Sequence, residues 1–201
     1  MASSIQTPHP SLDLDLLAAT GAESFRRAET RGGFHLVARG SGLHFVDDLH
    51  DLLSHAALFA GLSLADVQLL GSIMRVYEAP AQQTLIHEGD PGDFMLLLMS
   101  GSMEVVRADE HGFPNRIALA HPGQTLGEMS MIDGMPRFAS CQTLTPCRVG
   151  VLGRKAMLTL LQRETALGNK ILLRLVSMLS ERLRSTTARL VDCMEAGRLH
   201  P

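Results

Sequence analysis

Glu128 and Arg137 stand nine positions apart in a segment bent by Gly127, Gly134 and Pro136, and residue types in that arrangement suit one kind of chemistry. The guanidinium of Arg137 is a planar fork of donors that fits a phosphate, and charge-assisted bonds of this kind are roughly twice as strong as neutral ones. The carboxylate of Glu128 accepts from a sugar hydroxyl, as acidic residues do when they read a ribose. Gly127 has no Cβ, so the backbone can approach a ligand closely. If residues 128–132 form a helical turn, the free N–H groups at its start, that of Met129 among them, face the anion. Gly134 and Pro136 turn the chain so that Arg137 returns to the same pocket. A 3′,5′-cyclic nucleotide asks for this set: a singly charged phosphate, one free ribose hydroxyl and a flat base. The plain alternative is a solvated surface pair, which is worth little.

With those residues in view, the segment resembles the phosphate-binding cassette of the cyclic nucleotide-binding domain family. Gly127, Glu128, Pro136, Arg137 and Ala139 fall at the spacing of that cassette, a Gly-Glu start, an apolar turn and a Pro-Arg finish. Upstream, the runs TLIHEGD from Thr84 and SGSMEV from Ser100 resemble the early barrel strands of the same family. The likeness extends over roughly residues 58–190 and is greatest to the bacterial catabolite activator (Crp/Fnr-like) branch.

The resemblance implies an α+β fold, a double-sheet β jelly-roll barrel flanked by N-terminal helices and a long C-terminal helix. It implies a ligand site of Gly127, Glu128, Met129, Arg137, Phe138 and Ala139, joined by Arg182 from the long helix. Thr186 and Thr187 match two hydroxyl positions that bond the adenine amino group in catabolite activators, one of them from the neighbouring subunit. Cyclic AMP is the implied ligand, with cyclic GMP and cyclic di-GMP as alternatives. No cofactor or metal is implied.

Phe138 departs from the family pattern, which carries Ala, Ser or Thr after the arginine. It removes the hydroxyl that members selective for cyclic GMP use there. Its ring can stack beside a base, point away, or fill the pocket and leave a dimeric interaction module that binds no nucleotide.

The elements that must position these residues are legible in outline. Short apolar runs separated by turn signals fill residues 74–153, including a hairpin turn at Asp109-Glu110-His111-Gly112, and suggest the jelly roll. A cupin with a metal site would need histidines and carboxylates clustered in the strands, which are missing. A helical lead spans residues 43–73. Asp47 or Asp48 is expected to cap its first helix, and Ser63 with Asp66 reads as a capping box for the second. Residues 1–42 carry Pro8, Pro10, Gly32, Gly33, Gly40 and Gly42 and read as a partly ordered extension.

After the barrel, residues 154–162 predict a short helix and residues 166–196 a long one, within C-terminal helices placed at 154–197. Leu172, Val176, Leu179, Leu183, Thr186, Leu190 and Cys193 recur at spacings of four and three, a heptad seam. A helix of this length outruns the barrel it could cover, so the seam predicts a homodimer through the C-terminal helix.

Composition bounds the rest. At 201 residues and 45% hydrophobic, the chain can bury a full core, and one domain with an extension is expected. A formal net charge of −3 gives no global attraction to DNA or anionic membranes, and no apolar run approaches membrane-spanning length. Cys141, Cys147 and Cys193 form no CxxC pair, which suits a reducing cytoplasm. His44, His50 and His55 lack the i, i+4 spacing of a metal pair. No nucleophile, base and orienter converge, so an enzyme is not expected. The chain stops at Pro201, soon after the long helix, so neither a helix-turn-helix reader nor direct DNA binding is expected. The sum is a noncatalytic cytoplasmic sensor that signals to an effector protein by repositioning its dimer helix.

Overall fold

The structure, a computed structural model, describes residues 36–52, 58 and 61–198, together with residues 18, 19, 22, 23, 25–27 and 29. His55 and most of the N-terminal stretch lie outside the described residues. Among the described residues, nine strands form two antiparallel sheets. The larger contains β1 (Val37–Ser41), β2 (Arg75–Ala79), β9 (Cys147–Gly153), β4 (Phe94–Ser100) and β7 (Thr125–Leu126), in the order β1-β2-β9-β4-β7. The smaller has the order β3-β8-β5-β6, from β3 (Thr84–Ile86), β5 (Met103–Ala108), β6 (Pro114–Ala120) and β8 (Ser140–Thr143).

The central strand β4 explains how the layers assemble. Its sequence, FMLLLMS, is apolar at successive positions because both of its faces are covered. Side chains alternate across a strand, so Phe94, Leu96 and Leu98 enter the core between the sheets while Met95, Leu97 and Met99 enter a second core behind the larger sheet. Val149 and Val151 of β9 join the first core and Leu152 the second. Phe25, from the stretch read as an extension, is fully buried in the first core. Its ring packs edge-on to Tyr77 and Phe94 at centroid distances of 5.2 and 5.1 Å.

Helices close the second core: α1 (Val46–Leu52), α2 (Leu64–Ser72), the short α3 (Glu128–Asp133), α4 (Arg154–Arg163) and the long α5 (Thr165–Arg198). Leu49, Val67, Leu70, Met131, Met157, Leu160, Leu167, Ile171, Leu175 and Met178 meet there. The capping box of α2 is present: Ser63 Oγ accepts from Asp66 N at 3.2 Å and Asp66 Oδ2 accepts from Ser63 N at 2.9 Å. Lys170 of α5 reaches the same carboxylate at 2.7 Å, and its hydrogen bond, with those of Ser63, holds Asp66 below the usual carboxylate range.

One local expectation is corrected. Neither Asp47 nor Asp48 caps α1, because a 3₁₀ turn over Gly42–Phe45, capped by Ser41, runs directly into it. Both carboxylates lie within the first turn, where the helix dipole favours them. β1 falls inside residues 1–42, yet it pairs with β2 at the sheet edge. Its burial pattern has no alternation, so no periodic signal announces it.

The seven seam positions of α5 and its buried residues lie on different faces. Leu167, Ile171, Leu175 and Met178 are buried against the domain. Leu172, Val176, Leu183, Leu190 and Cys193 are exposed, Leu183 at 68% and Leu190 at 60%. Among the described residues, no helix is long and apolar enough to cross a membrane.

Candidate functional site

β7 delivers the chain to Gly127, which adopts φ 77° and ψ 9°, a left-handed conformation that a residue without Cβ takes at no steric cost. α3 follows at once, and Gly134, with φ 76°, ends it by donating its N–H to Ser130 O at 2.9 Å. The expected turn of helix after Gly127 and the turn at Gly134 are both there.

Arg137 returns into the barrel. Its backbone N–H donates to Asp90 O at 2.8 Å and its carbonyl accepts from Gly89 N at 2.9 Å, so the turn after β3 holds it. Its guanidinium lies over the Phe94 ring, Cζ 4.3 Å from the centroid, and Nη1 donates to Gly127 O at 2.7 Å. Two glycines make this fit possible. A Cβ on Gly127 would stand 2.5 Å from Arg137 Nη1, and one on Gly92 would stand 2.5 Å from Arg137 Nε and 2.7 Å from Ser130 Cβ. Burial lowers the affinity of this guanidinium for its proton, although Asp93, Glu128 and Asp90 are among the charges that oppose the shift; an arginine stays charged throughout.

Glu128 opens α3 and is 3% exposed. Arg182 of α5 pairs with it through Nη1 and Oε1, and Arg182 Nη2 donates to Thr125 O at 2.6 Å. Burial raises the Glu128 carboxyl above its ordinary 4.5, against the pull of Arg182 and Arg137. Beside them, burial pushes the Cys141 thiol up to about 12, so it stays neutral.

Three buried polar atoms in this group have no hydrogen-bond partner among the described residues: Arg137 Nη2, Glu128 Oε2 and Thr125 Oγ1. Buried polar atoms are satisfied in the great majority of cases, so three together call for a ligand or water. They offer a cationic donor, an anionic acceptor and a hydroxyl. That is what an anionic, hydroxyl-bearing molecule needs. Among the described residues, no group of three His, Cys, Asp or Glu is placed to hold a metal ion.

Gly127, Glu128, Arg137 and Arg182 are thus brought together, with Ala139 buried beside them at 7% exposure. Met129 and Phe138 turn outward. Phe138 follows the inward Arg137 at a bend in the chain, before β8 begins. It is 49% exposed, with Arg107 Cζ 4.1 Å from its ring centroid. Glu88 holds Arg107 in turn at 3.6 Å and accepts from Ala108 N at 3.0 Å. Thr186 and Thr187 are exposed on α5, about one turn past Arg182.

Sequence reasoning missed Gly92, Thr125, Arg107 and Cys141. Gly92 was legible only as a turn residue, and its close approach to Arg137 comes from the fold. Thr125 and Cys141 lie in short strands, TL and SCQT, that give no sign of a pocket.

The profile of the cyclic nucleotide-binding domain matches residues 76–164. A cyclic nucleotide-binding domain from Methylobacillus flagellatus KT has 38% identity, a TM-score of 0.72, and coverage of 78% of this chain and 88% of that one. The Thermus thermophilus catabolite activator protein has 29% identity and a TM-score of 0.62, over 67% of this chain and 62% of that one. The CRP-like cAMP-activated global transcriptional regulator of Mycobacterium tuberculosis is 26% identical over 144 residues, 72% of this chain. This chain spans 62% of that regulator's length.

Proposed function

This chain belongs to the cyclic nucleotide-binding domain family, and we propose that it is a noncatalytic sensor whose ligand is cyclic AMP. The observation that carries this reading is the trio of unpartnered buried atoms around the start of α3. Arg137 Nη2 takes the phosphate, Glu128 Oε2 accepts from the ribose 2′-hydroxyl, and Thr125 Oγ1 completes the wall. The outward turn of Phe138 supports ligand entry, because the ring does not take the place of the phosphate beside Arg137. Cyclic AMP is favoured over cyclic GMP because position 138 offers no hydroxyl, and the mycobacterial relative is a cAMP-activated regulator.

The signal leaves through α5. Arg182 ties the pocket to this helix, and the apolar seam from Leu172 to Cys193 lies outside the face packed on the domain. Two copies join along the seam, and Thr186 and Thr187 then stand at the base of the bound nucleotide. Ligand changes the pairing or tilt of the helices only to the extent that it binds one arrangement more tightly. An effector protein reads the result.

Calorimetric titration with cyclic AMP, cyclic GMP and cyclic di-GMP tests this. Binding of cyclic AMP with the highest affinity is the expected result, and no heat from any of the three at millimolar ligand would sink the sensor.

A further inference from the structure

The helix at the ligand site is held at both ends by arginines from the helices that follow the barrel. At its start, Arg182 of α5 pairs with Glu128 and bonds Thr125 O. At its end, Arg154, the first residue of α4, donates from Nη2 to Ile132 O at 3.1 Å. Gly134 leaves room for that contact, since a Cβ there would stand 2.9 Å from Arg154 Nη1.

Arg154 sits where its own helix gives it no reason to be. α4 opens with Arg154 and Lys155 and has no acidic residue in its first turn, although the positive end of a helix dipole disfavours cations. The last carbonyls of α3 supply the compensating partner, because a helix C-terminus carries unsatisfied acceptors and negative partial charge. The backbone of Arg154 is engaged as well. Its N–H donates to Asp93 O at 2.7 Å, and Asp93 is one of the charges acting on Arg137.

Packing extends the link. Met131 of α3 shares a core with Ala156, Met157 and Leu160 of α4 and with Leu167 and Ile171 of α5. α4 and the start of α5 are locked together, since a Cβ on Gly168 would lie 2.8 Å from Leu161 Cα.

We infer that Arg154 is a positioning residue that carries movement of α3 to α4 and the first turns of α5, by a route separate from Arg182. The inference rests on the sensor reading above. The two arginines grip opposite ends of a six-residue helix, so a ligand that tilts α3 acts on α5 at two places.

Hydrogen exchange with and without cyclic AMP, on the parent, Arg154→Ala and Arg154→Lys, tests the link. In the parent, ligand changes exchange by about fivefold or more in residues 128–134 and in residues 154–171. Arg154→Ala keeps the first response and its calorimetric affinity to within about threefold, while the second response falls below about twofold. Arg154→Lys keeps a cation at the carbonyl and restores part of it. A full response in residues 154–171 of Arg154→Ala overturns the inference. So does joint loss of affinity and of the response in residues 128–134, because Arg154 would then support the pocket itself. If the parent binds no cyclic nucleotide, the sensor reading fails and the link is read without ligand. Arg154→Ala then raises exchange in residues 131–135 and 154–158 together by about fivefold, and unchanged exchange at 131–135 overturns it.

Discussion

Arg182 and Glu128, 54 positions apart in sequence, form an ion pair that joins the middle of α5 to the first residue of α3. The pair uses Oε1 and leaves Oε2 without a partner, so the carboxylate is oriented by one arginine and still able to accept from a second molecule. Position and availability of Glu128 are therefore both set from outside the barrel.

Arg137→Ala removes the buried cation that faces the pocket. Charge-assisted bonds contribute about 1.5 to 3 kcal/mol each, so affinity for cyclic AMP is expected to fall roughly tenfold or more. Calorimetry checks this, and an unchanged dissociation constant removes Arg137 from the site.

Acid should weaken ligand binding earlier than an ordinary glutamate would allow. Burial raises the Glu128 pKa above 4.5, so the carboxylate takes up its proton before pH falls that far, and an ionised carboxylate is the stronger acceptor for the ribose hydroxyl. Affinity is expected to start declining above pH 4.5 as the parent is acidified and to be flat in Glu128→Gln. The effect on folding has the opposite sign. A raised folded-state pKa means that the contribution of Glu128 to stability is fully present below 4.5 and is lost as pH rises through the folded value. Equal slopes for the parent and Glu128→Gln rule the assignment out.

Arg182→Ala leaves a buried carboxylate oxygen unpaired, at a cost of about 1 to 3 kcal/mol in denaturant unfolding. Glu128→Gln removes the charge that needs the pair. The double variant is expected to lose less than the two single losses together, with a coupling of about 0.5 to 3 kcal/mol. Additive losses would show that the two side chains do not stabilise one another.

Leu183→Asp with Leu190→Asp puts charge on the seam at residues that are exposed in the single chain. The expected result is a monomer in sedimentation, with the stability of the fold changed by no more than about 0.5 kcal/mol per site. A sedimentation profile matching the parent refutes the seam.

Phe25→Ala empties a fully buried ring site in the barrel, with an expected loss of about 3 to 5 kcal/mol. Phe25→Leu keeps most of the volume but gives up the edge-on contact with Phe94, the ring beneath Arg137. Its expected cost is about 0.5 to 1.5 kcal/mol, with a measurable drop in affinity for cyclic AMP. Thermal melts and calorimetry together separate the two effects, and parental stability in Phe25→Ala would show that the ring is not part of the core.

Much of the molecule could be read along the chain because the causes are local. The capping box at Ser63 and Asp66, the left-handed glycines bounding α3, the hairpin at Asp109 and the periodic α5 each depend on residues within a turn or two of one another. The spacing of Gly127, Glu128, Pro136, Arg137 and Ala139 belongs to the same class, and with the runs from Thr84 and Ser100 it carried the family resemblance. Local spacing also marked the apolar seam of α5, since a helix of fixed pitch sorts its residues by position alone.

What stayed hidden depends on contacts across the fold. Phe138 lies exposed under Arg107 while its neighbour Arg137 lies inward over Phe94, and both partners come from distant strands. The value of Gly92 lies in how closely the loop before β4 passes the guanidinium, and Phe25 belongs to the barrel only because the barrel leaves a ring-sized space for it. Arg154 looks like an ordinary solvated charge on a helix until the end of α3 is placed beside it, and Arg182, which the family resemblance implied at the site, finds its partner Glu128 only in the fold. Periodicity and spacing act between neighbours, whereas burial and pairing arise from which distant segments the closed sheets bring together. The residues of the phosphate clamp are therefore written in one short stretch, but its orientation and its connection to the long helix come from the fold.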